Sequence, residues 1–220
     1  ARFSGLKEIR RRSVWHALNV NATIRLACRQ SGWNYKDENF VVAHLGGGIS
    51  VSAIEKGRCI DVSNGLEEGP FTPERAGSLP TLELAKMCFS GSYTQSEIKK
   101  LLVGKGGLVN YLGTSSGSEV EQRYLKGDAE AKRIFEAMAY QIAKTIGSYI
   151  MALKGNVKRV ILTGGAAQNQ TLTRLIKEWV EPVKPVLLMP GEDELAALAM
   201  GGLRVLRGEE KPLEYGTIPG

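Results

Sequence analysis

The chain has 220 residues, 43% of them hydrophobic and 24% charged, which suits a globular domain with one sizeable core. It contains no apolar run near the ~20 residues of a membrane span, and residues 1–5 do not have the charged-then-apolar pattern of a signal peptide. Cys28, Cys59 and Cys88 are odd in number and far apart with no C-x-x-C pair, which argues against a disulfide scaffold or zinc site and suits packing roles in a reducing cytoplasm.

The first segment with helical patterning covers residues 13–31, with Ser13 as the expected N-cap and Gly32 as the stop. Three short strands follow: residues 40–44, the alternating residues 49–54, and residues 58–62. A run of three glycines, Gly46-Gly47-Gly48, joins the first two, and Lys56-Gly57 turns into the third, giving an antiparallel meander. Residues 64–80 fit neither period and form a long loop, of the kind that often carries function. A short helix is expected over 81–89. Thr94-Gln95-Ser96-Glu97 is a capping box that opens another, ending near Gly104. Residues 104–117 read as a glycine- and serine-rich connector.

Asp128 caps a long helix reaching about Leu153, whose stripe Ile134, Met138, Ile142, Ile146 and Ile150 marks it as a core element. Then come a buried strand at 160–163, the turn Gly164-Gly165, a helix at 170–180, a strand at 186–189 and a helix at 193–206. That alternation implies parallel α/β pairing. Residues 208–220 read as a surface tail. The meander followed by α/β units predicts an α/β, ribonuclease H-like lobe with a mixed sheet and helices on both faces.

The formal net charge of +6 calls for an anionic partner. Arg10-Arg11-Arg12 is the only tight basic cluster, but it has no interleaved aromatic and no nucleic-acid-binding signature follows it. A nucleotide with a small carboxylate explains the excess better than nucleic acid.

Both glycine turns follow buried strands. His44-Leu45-Gly46-Gly47-Gly48 lies between two strands and lacks G-K-[ST], so it is neither a Walker A loop nor a dinucleotide fingerprint. Three glycines nonetheless let several backbone N–H groups approach a polyphosphate. Thr163-Gly164-Gly165-Ala166-Ala167-Gln168-Asn169 joins a strand to a helix and leaves room for a flat ring or a phosphate at the helix N-terminus.

Three stretches, V-A-H-L-G-G-G-I-S-V at 42–51, D-V-S-N-G-L-E-E-G-P-F-T-P-E-R-A-G-S-L-P at 61–80 and L-T-G-G-A-A-Q-N at 162–169, resemble the butyrate kinases. W-H-A-L-N at 15–19 and P-G-E-D-E-L-A-A-L-A-M-G at 190–201 extend the likeness over nearly the whole chain. The butyrate kinases belong to the acetate kinase family of the acetate and sugar kinase/Hsc70/actin superfamily. Acetate kinases have H-L-G-N-G-A-S, T-R-S-G-D and A-G-I-G-E-N in the three motifs, so Gly47 stands where they have asparagine.

The resemblance implies reversible phosphoryl transfer between ATP and a short-chain fatty acid, here butanoate, by a cytoplasmic homo-oligomer using Mg²⁺ and interacting with neither nucleic acid nor membrane. It assigns Arg75 and His16 to the transferring phosphoryl group, and His44, Gly46, Gly47 and Gly48 to the phosphates. Gly164, Gly165 and Asn169 go to the adenosine, and Glu194 (or else Glu192) to Mg²⁺. Asp61 and Glu74 receive no role. By the same comparison residues 1–220 form the C-terminal nucleotide-binding lobe, residues 1–32 the connecting helix region, and the N-terminal lobe is absent. A kinase for acetate, propionate or a branched-chain acid, a non-catalytic nucleotide-binding fragment, and an actin/Hsc70-like regulatory ATPase are the alternatives.

Overall fold

The structure, a computed structural model, describes residues 3–191 and 194–212. Five strands form one sheet: β1 (Asn39–Leu45), β2 (Ile49–Glu55), β3 (Arg58–Val62), β4 (Arg159–Gly164) and β5 (Val186–Pro190), in the order β3-β2-β1-β4-β5. β1 pairs antiparallel with β2 and parallel with β4. β2 continues the meander to β3, and β5 adds a second parallel pair. This is the mixed sheet expected from the sequence.

The helices are α1 (Ala17–Ser31), α2 (Thr81–Cys88), α3 (Gln95–Leu102), α4 (Gly107–Leu112), α5 (Gly117–Leu125), α6 (Ala129–Ala152), α7 (Gln170–Val180) and α8 (Glu194–Leu206). Helix α6 begins where the Asp128 side chain accepts from the Glu130 and Ala131 N–H groups, and α3 begins at the Thr94–Glu97 capping box. Gly32 closes α1 in the left-handed conformation, as expected.

Each strand sends alternate residues to opposite faces. Val41, Ala43, Leu45, Val51, Ala53, Val160 and Leu162 pack with Phe135, Met138, Ile142 and Ile146 of α6 and with α7. Phe40, Val42, Ile54 and Ile161 face Val20, Ile24, Ala27 and Cys28 of α1 on the other side. Burial of each Val, Leu, Ile, Phe or Met among these contributes about 1.5–3 kcal/mol, so helices on both faces hold β1 at the centre of the molecule.

Three expectations need correction. Helix α1 starts four residues after Ser13, at Ala17, with His16 in the N-cap position and no side-chain cap; the His16 ring is committed elsewhere. The supposed connector at 104–117 contains α4 and leads into α5. Cys28 is buried, but Cys59 and Cys88 are exposed and serve no core packing. Arg11, in the basic cluster, is committed within the chain. Its guanidinium donates to both Glu68 carboxylate oxygens, at 2.9 and 2.8 Å, and to Asp61 at 3.3 Å, tying the N-terminal segment to the end of β3. Asp193 and Glu192, along with residues 213–220 of the expected tail, lie outside the described residues.

Candidate active site

Because β1 and β4 are parallel neighbours, their C-terminal ends and the glycine turns that follow them share one edge of the sheet. Gly164 has φ +90°, and a Cβ there would press on the Leu45 carbonyl; only glycine permits this approach of the two backbones. A cavity of about 450 Å³ opens between the turns, lined by Gly46, Gly47, Gly165, Ala166, Gln168 and Asn169 over an apolar floor of Phe135, Met138 and Leu172. Ser115, Gly117, Ser118 and Glu121, ahead of and within α5, complete its wall. These four were not anticipated, although Ser116-x-x-Glu119 is a legible helix-start signal and Ser116 does cap α5. Asn169 lines the cavity with its amide already engaged: Oδ1 accepts from the Leu172 N–H at 2.8 Å and Nδ2 donates to the Gly117 carbonyl at 3.2 Å. It therefore fixes the wall, joining α7 to α5.

On the α1 face, three polar residues replace the apolar pattern at the same edge. Ser50, His44 and Thr163 lie in register on β2, β1 and β4, all essentially inaccessible to solvent. Buried polar groups need partners, and α1 supplies them. His16 Nδ1 is 2.8 Å from Ser50 Oγ, and Thr23 Oγ1 is 3.3 Å from Thr163 Oγ1. The His16 and His44 rings stack with centroids 4.0 Å apart and 19° between planes. One turn further along α1, Asn19 Nδ2 donates to Glu194 Oε1 at 3.4 Å.

Burial pushes the pKa of His44 down to about 4, with the neighbouring His16 adding to the effect. His16 is also lowered, first by burial and then by the positive charge of Arg75, against an opposing pull from Glu194. Both imidazoles are therefore neutral at pH 7, and stacking them brings no charge repulsion. Between pH 6.5 and 4 the unfolded chain binds a proton at His44 that the folded chain refuses, so stability falls as pH drops through that window and is complete above it. The gap corresponds to about 3 kcal/mol. Thermal melts from pH 7 to 4.5 should show a steeper loss for the native sequence than for His44→Gln; equal slopes would contradict this account.

Arg75 lies in the loop between β3 and α2. Its Nη1 donates to the Gly65 carbonyl, and the guanidinium sits where a Cβ on Gly48 would be. A side chain at the third glycine of the run would displace the guanidinium from this seat. Among the described residues Arg75 makes no ion pair, which leaves its positive charge at the mouth of the hairpin.

The sequence-proposed residues therefore fall into two adjoining groups: Gly46, Gly47, Gly165 and Asn169 around the cavity, and His16, His44, Arg75 and Glu194 on the α1 side. Gly48 lies against Arg75, and Gly164 is the packing glycine behind both groups.

The family model described as the Acetokinase family matches residues 16–184. The chain belongs to that family. It is 52% identical over 216 residues to "Probable butyrate kinase 2" of Caldanaerobacter subterraneus subsp. tengcongensis, covering 98% of this chain and 61% of that protein. The chain thus spans under two thirds of that relative's length. Among solved structures, the acetate kinase of Porphyromonas gingivalis superimposes with a TM-score of 0.83 at 23% identity, over 93% of this chain and 60% of that one. A propionate kinase from Francisella tularensis gives 0.78 at 22% identity, over 87% and 55%. These two likenesses establish the fold, a mixed α/β sheet with helices. None of the described helices of this acetokinase-family chain is long and apolar enough to cross a membrane.

Proposed function

We propose that residues 1–220 are the nucleotide-binding lobe of a butyrate kinase, which transfers the γ-phosphoryl group of ATP to butanoate and, in reverse, forms ATP from butanoyl phosphate. The observation carrying this reading is the convergence of two glycine turns on one cavity, with Arg75 and His16 beside the hairpin that forms one wall. The 52% identity to a probable butyrate kinase favours butanoate over acetate as the acceptor.

In this reading the adenosine occupies the 450 Å³ cavity against Phe135, Met138 and Leu172, and the phosphates run along the backbone N–H groups of the glycine hairpin toward Arg75. A butanoate carboxylate oxygen forms the new bond to phosphorus while the bond to the ADP oxygen breaks. Charge on the passing phosphoryl group is met by the Arg75 fork and by a His16 N–H. With His16 Nδ1 accepting from the Ser50 hydroxyl, the neutral ring carries its proton on Nε2, the nitrogen left to donate.

Mg²⁺, which offsets phosphate charge in such reactions, fits the Glu194 end of the cluster. Asn19 Oδ1 is a buried oxygen that no described residue satisfies, and the Glu194 carboxylate lies beside it. Hard oxygen donors of this type suit the ion, which keeps several waters and needs only one or two carboxylates. No group of three or more acidic, histidine or cysteine side chains forms a closed cage among the described residues. A second lobe supplying the acyl pocket, a homo-oligomeric assembly and a cytoplasmic location complete the proposal.

Acyl-phosphate formation by the complete protein, trapped as the hydroxamate across acids of two to five carbons, tests the assignment. Butanoate should give the highest kcat/KM, with dependence on Mg²⁺; preference for acetate would reject it.

A further inference from the structure

The Thr72 hydroxyl occupies a junction that the kinase reading does not use. Thr72 is almost wholly buried in the loop that carries Arg75. Its Oγ1 donates to the Gly47 carbonyl at 2.6 Å, and the same oxygen accepts from the backbone N–H groups of Glu74 at 3.2 Å and Arg75 at 3.1 Å. A hydroxyl has one proton and two lone pairs, so its full capacity is spent on three backbone groups in two separate elements. Among the described residues this is the only side-chain hydrogen bond joining the glycine hairpin to the loop.

The rest of that loop is clamped from the opposite side. The Glu74 carbonyl accepts from Gly104 at 2.7 Å and from Gly106 at 3.2 Å, the Thr72 carbonyl accepts from Leu108 at 3.2 Å, and the Ala76 N–H donates to Leu102 at 3.0 Å. Gly107, at φ +60°, sits so close to the Thr72 carbonyl that no side chain fits between them. The Arg75 backbone is thereby fixed to the segment between α3 and α4. Its relation to the hairpin depends on Thr72 and on the packing of the guanidinium over Gly48.

We propose that Thr72 is a positioning residue: it registers the glycine hairpin against Arg75, so that a phosphate chain held by the hairpin presents its terminal group to the guanidinium. The inference rests on the kinase reading for its catalytic consequence, though the coupling itself is a property of the loop. An ordinary loop-stabilising threonine would affect folding without favouring the transition state over the bound nucleotide. A positioning one affects kcat, because misplacement by an ångström costs rate more than affinity.

The test uses the complete protein with Thr72→Val, which keeps shape and removes the hydroxyl, and Thr72→Ser, which keeps the hydroxyl. Thr72→Val should lower kcat by roughly 30–100-fold with KM for ATP within threefold, and Thr72→Ser should stay within threefold of the native rate. In an Arg75→Ala background Thr72→Val should cost less than about threefold, because the partner it positions is gone. Equal losses in both backgrounds, or a serine variant as slow as the valine one, would overturn the proposal.

Amide hydrogen exchange of the native protein with and without a non-hydrolysable ATP analogue guards against a valine variant that fails to fold. Protection should rise together at residues 46–48 and at 74–75; protection confined to the hairpin would refute the coupling. If the native protein phosphorylates no acid yet both segments gain protection, the kinase reading fails and the coupling stands.

Discussion

Arg75→Ala should lower kcat of the complete protein by about 10²–10³-fold while KM for ATP changes only a few-fold, since removing one preorganised donor to developing charge costs about 2.7–4 kcal/mol of transition-state stabilisation. The site concentrates this effect in one side chain. The guanidinium rests on Gly48, is oriented by the Gly65 carbonyl, and has no carboxylate partner among the described residues to share its charge. Lysine at the position should restore part of the rate, because it supplies charge without the planar fork. A second readout needs no turnover. The positive charge of Arg75 helps hold the His16 pKa down, so Arg75→Ala should raise it in an NMR titration. Steady-state kinetics near the native values, with an unmoved His16, would return Arg75 to the status of a surface arginine.

Gly164→Ala should produce the largest loss of stability of any single methyl addition in the site. Alanine there must adopt φ near +90°, and its Cβ would overlap the Leu45 carbonyl, which belongs to the central strand and cannot yield. Backbone strain of about 1–3 kcal/mol and overpacking of about 1–3 kcal/mol together predict a fall in Tm of roughly 5–20 °C for a domain of this size. ATP-analogue affinity should fall with it, because β4 and the β1 hairpin would be forced apart. Gly165 is the control. It has no positive φ and nothing near its missing Cβ, so Gly165→Ala should leave Tm within about 2 °C. Melting curves that fail to separate the two variants would contradict the close-approach argument.

Much of the fold was legible because local chemistry and tertiary packing agree. Asp128 is a strong N-cap and the apolar stripe behind it has one period, so α6 was read within a residue or two; α7 and the capping box of α3 were equally plain. The reading failed where a tertiary partner overrides the local signal. Ser13 has the right chemistry for a cap, but the chain turns at His16, whose ring is held by His44 and Ser50. Helix α4 begins at a glycine with φ +60°, a position that looks like a breaker until the Thr72 carbonyl is seen pressed against it. The binding of Arg11 by Glu68 and Asp61 spans 50 or more residues of sequence, beyond any local pattern.

The site was half legible. The glycine turns announce themselves through composition, whereas Arg75 is marked only by the resemblance of its loop to the butyrate kinases. The cavity wall at Ser115, Gly117, Ser118 and Glu121 does not, because it exists only once α5 packs beside the turn after β4. Thr72 lies inside one of the motifs, but its contact with the glycine hairpin is invisible there, being a hydrogen bond to a carbonyl 25 residues earlier.

Strand β1 has a further consequence, one of arithmetic. Its seven residues are all buried, and its odd and even positions serve different masters: Val41, Ala43 and Leu45 belong to α6, whereas Phe40, Val42 and His44 belong to α1. Lengthening or shortening the strand by one residue would exchange the two sets, carrying His44 into the apolar α6 layer and a core valine or alanine into its place beside His16. A change of two residues would preserve the assignment and shift only the height of the hairpin. Within this sheet the path from one functional sequence to another is therefore open to even-numbered changes in β1 and closed to odd ones.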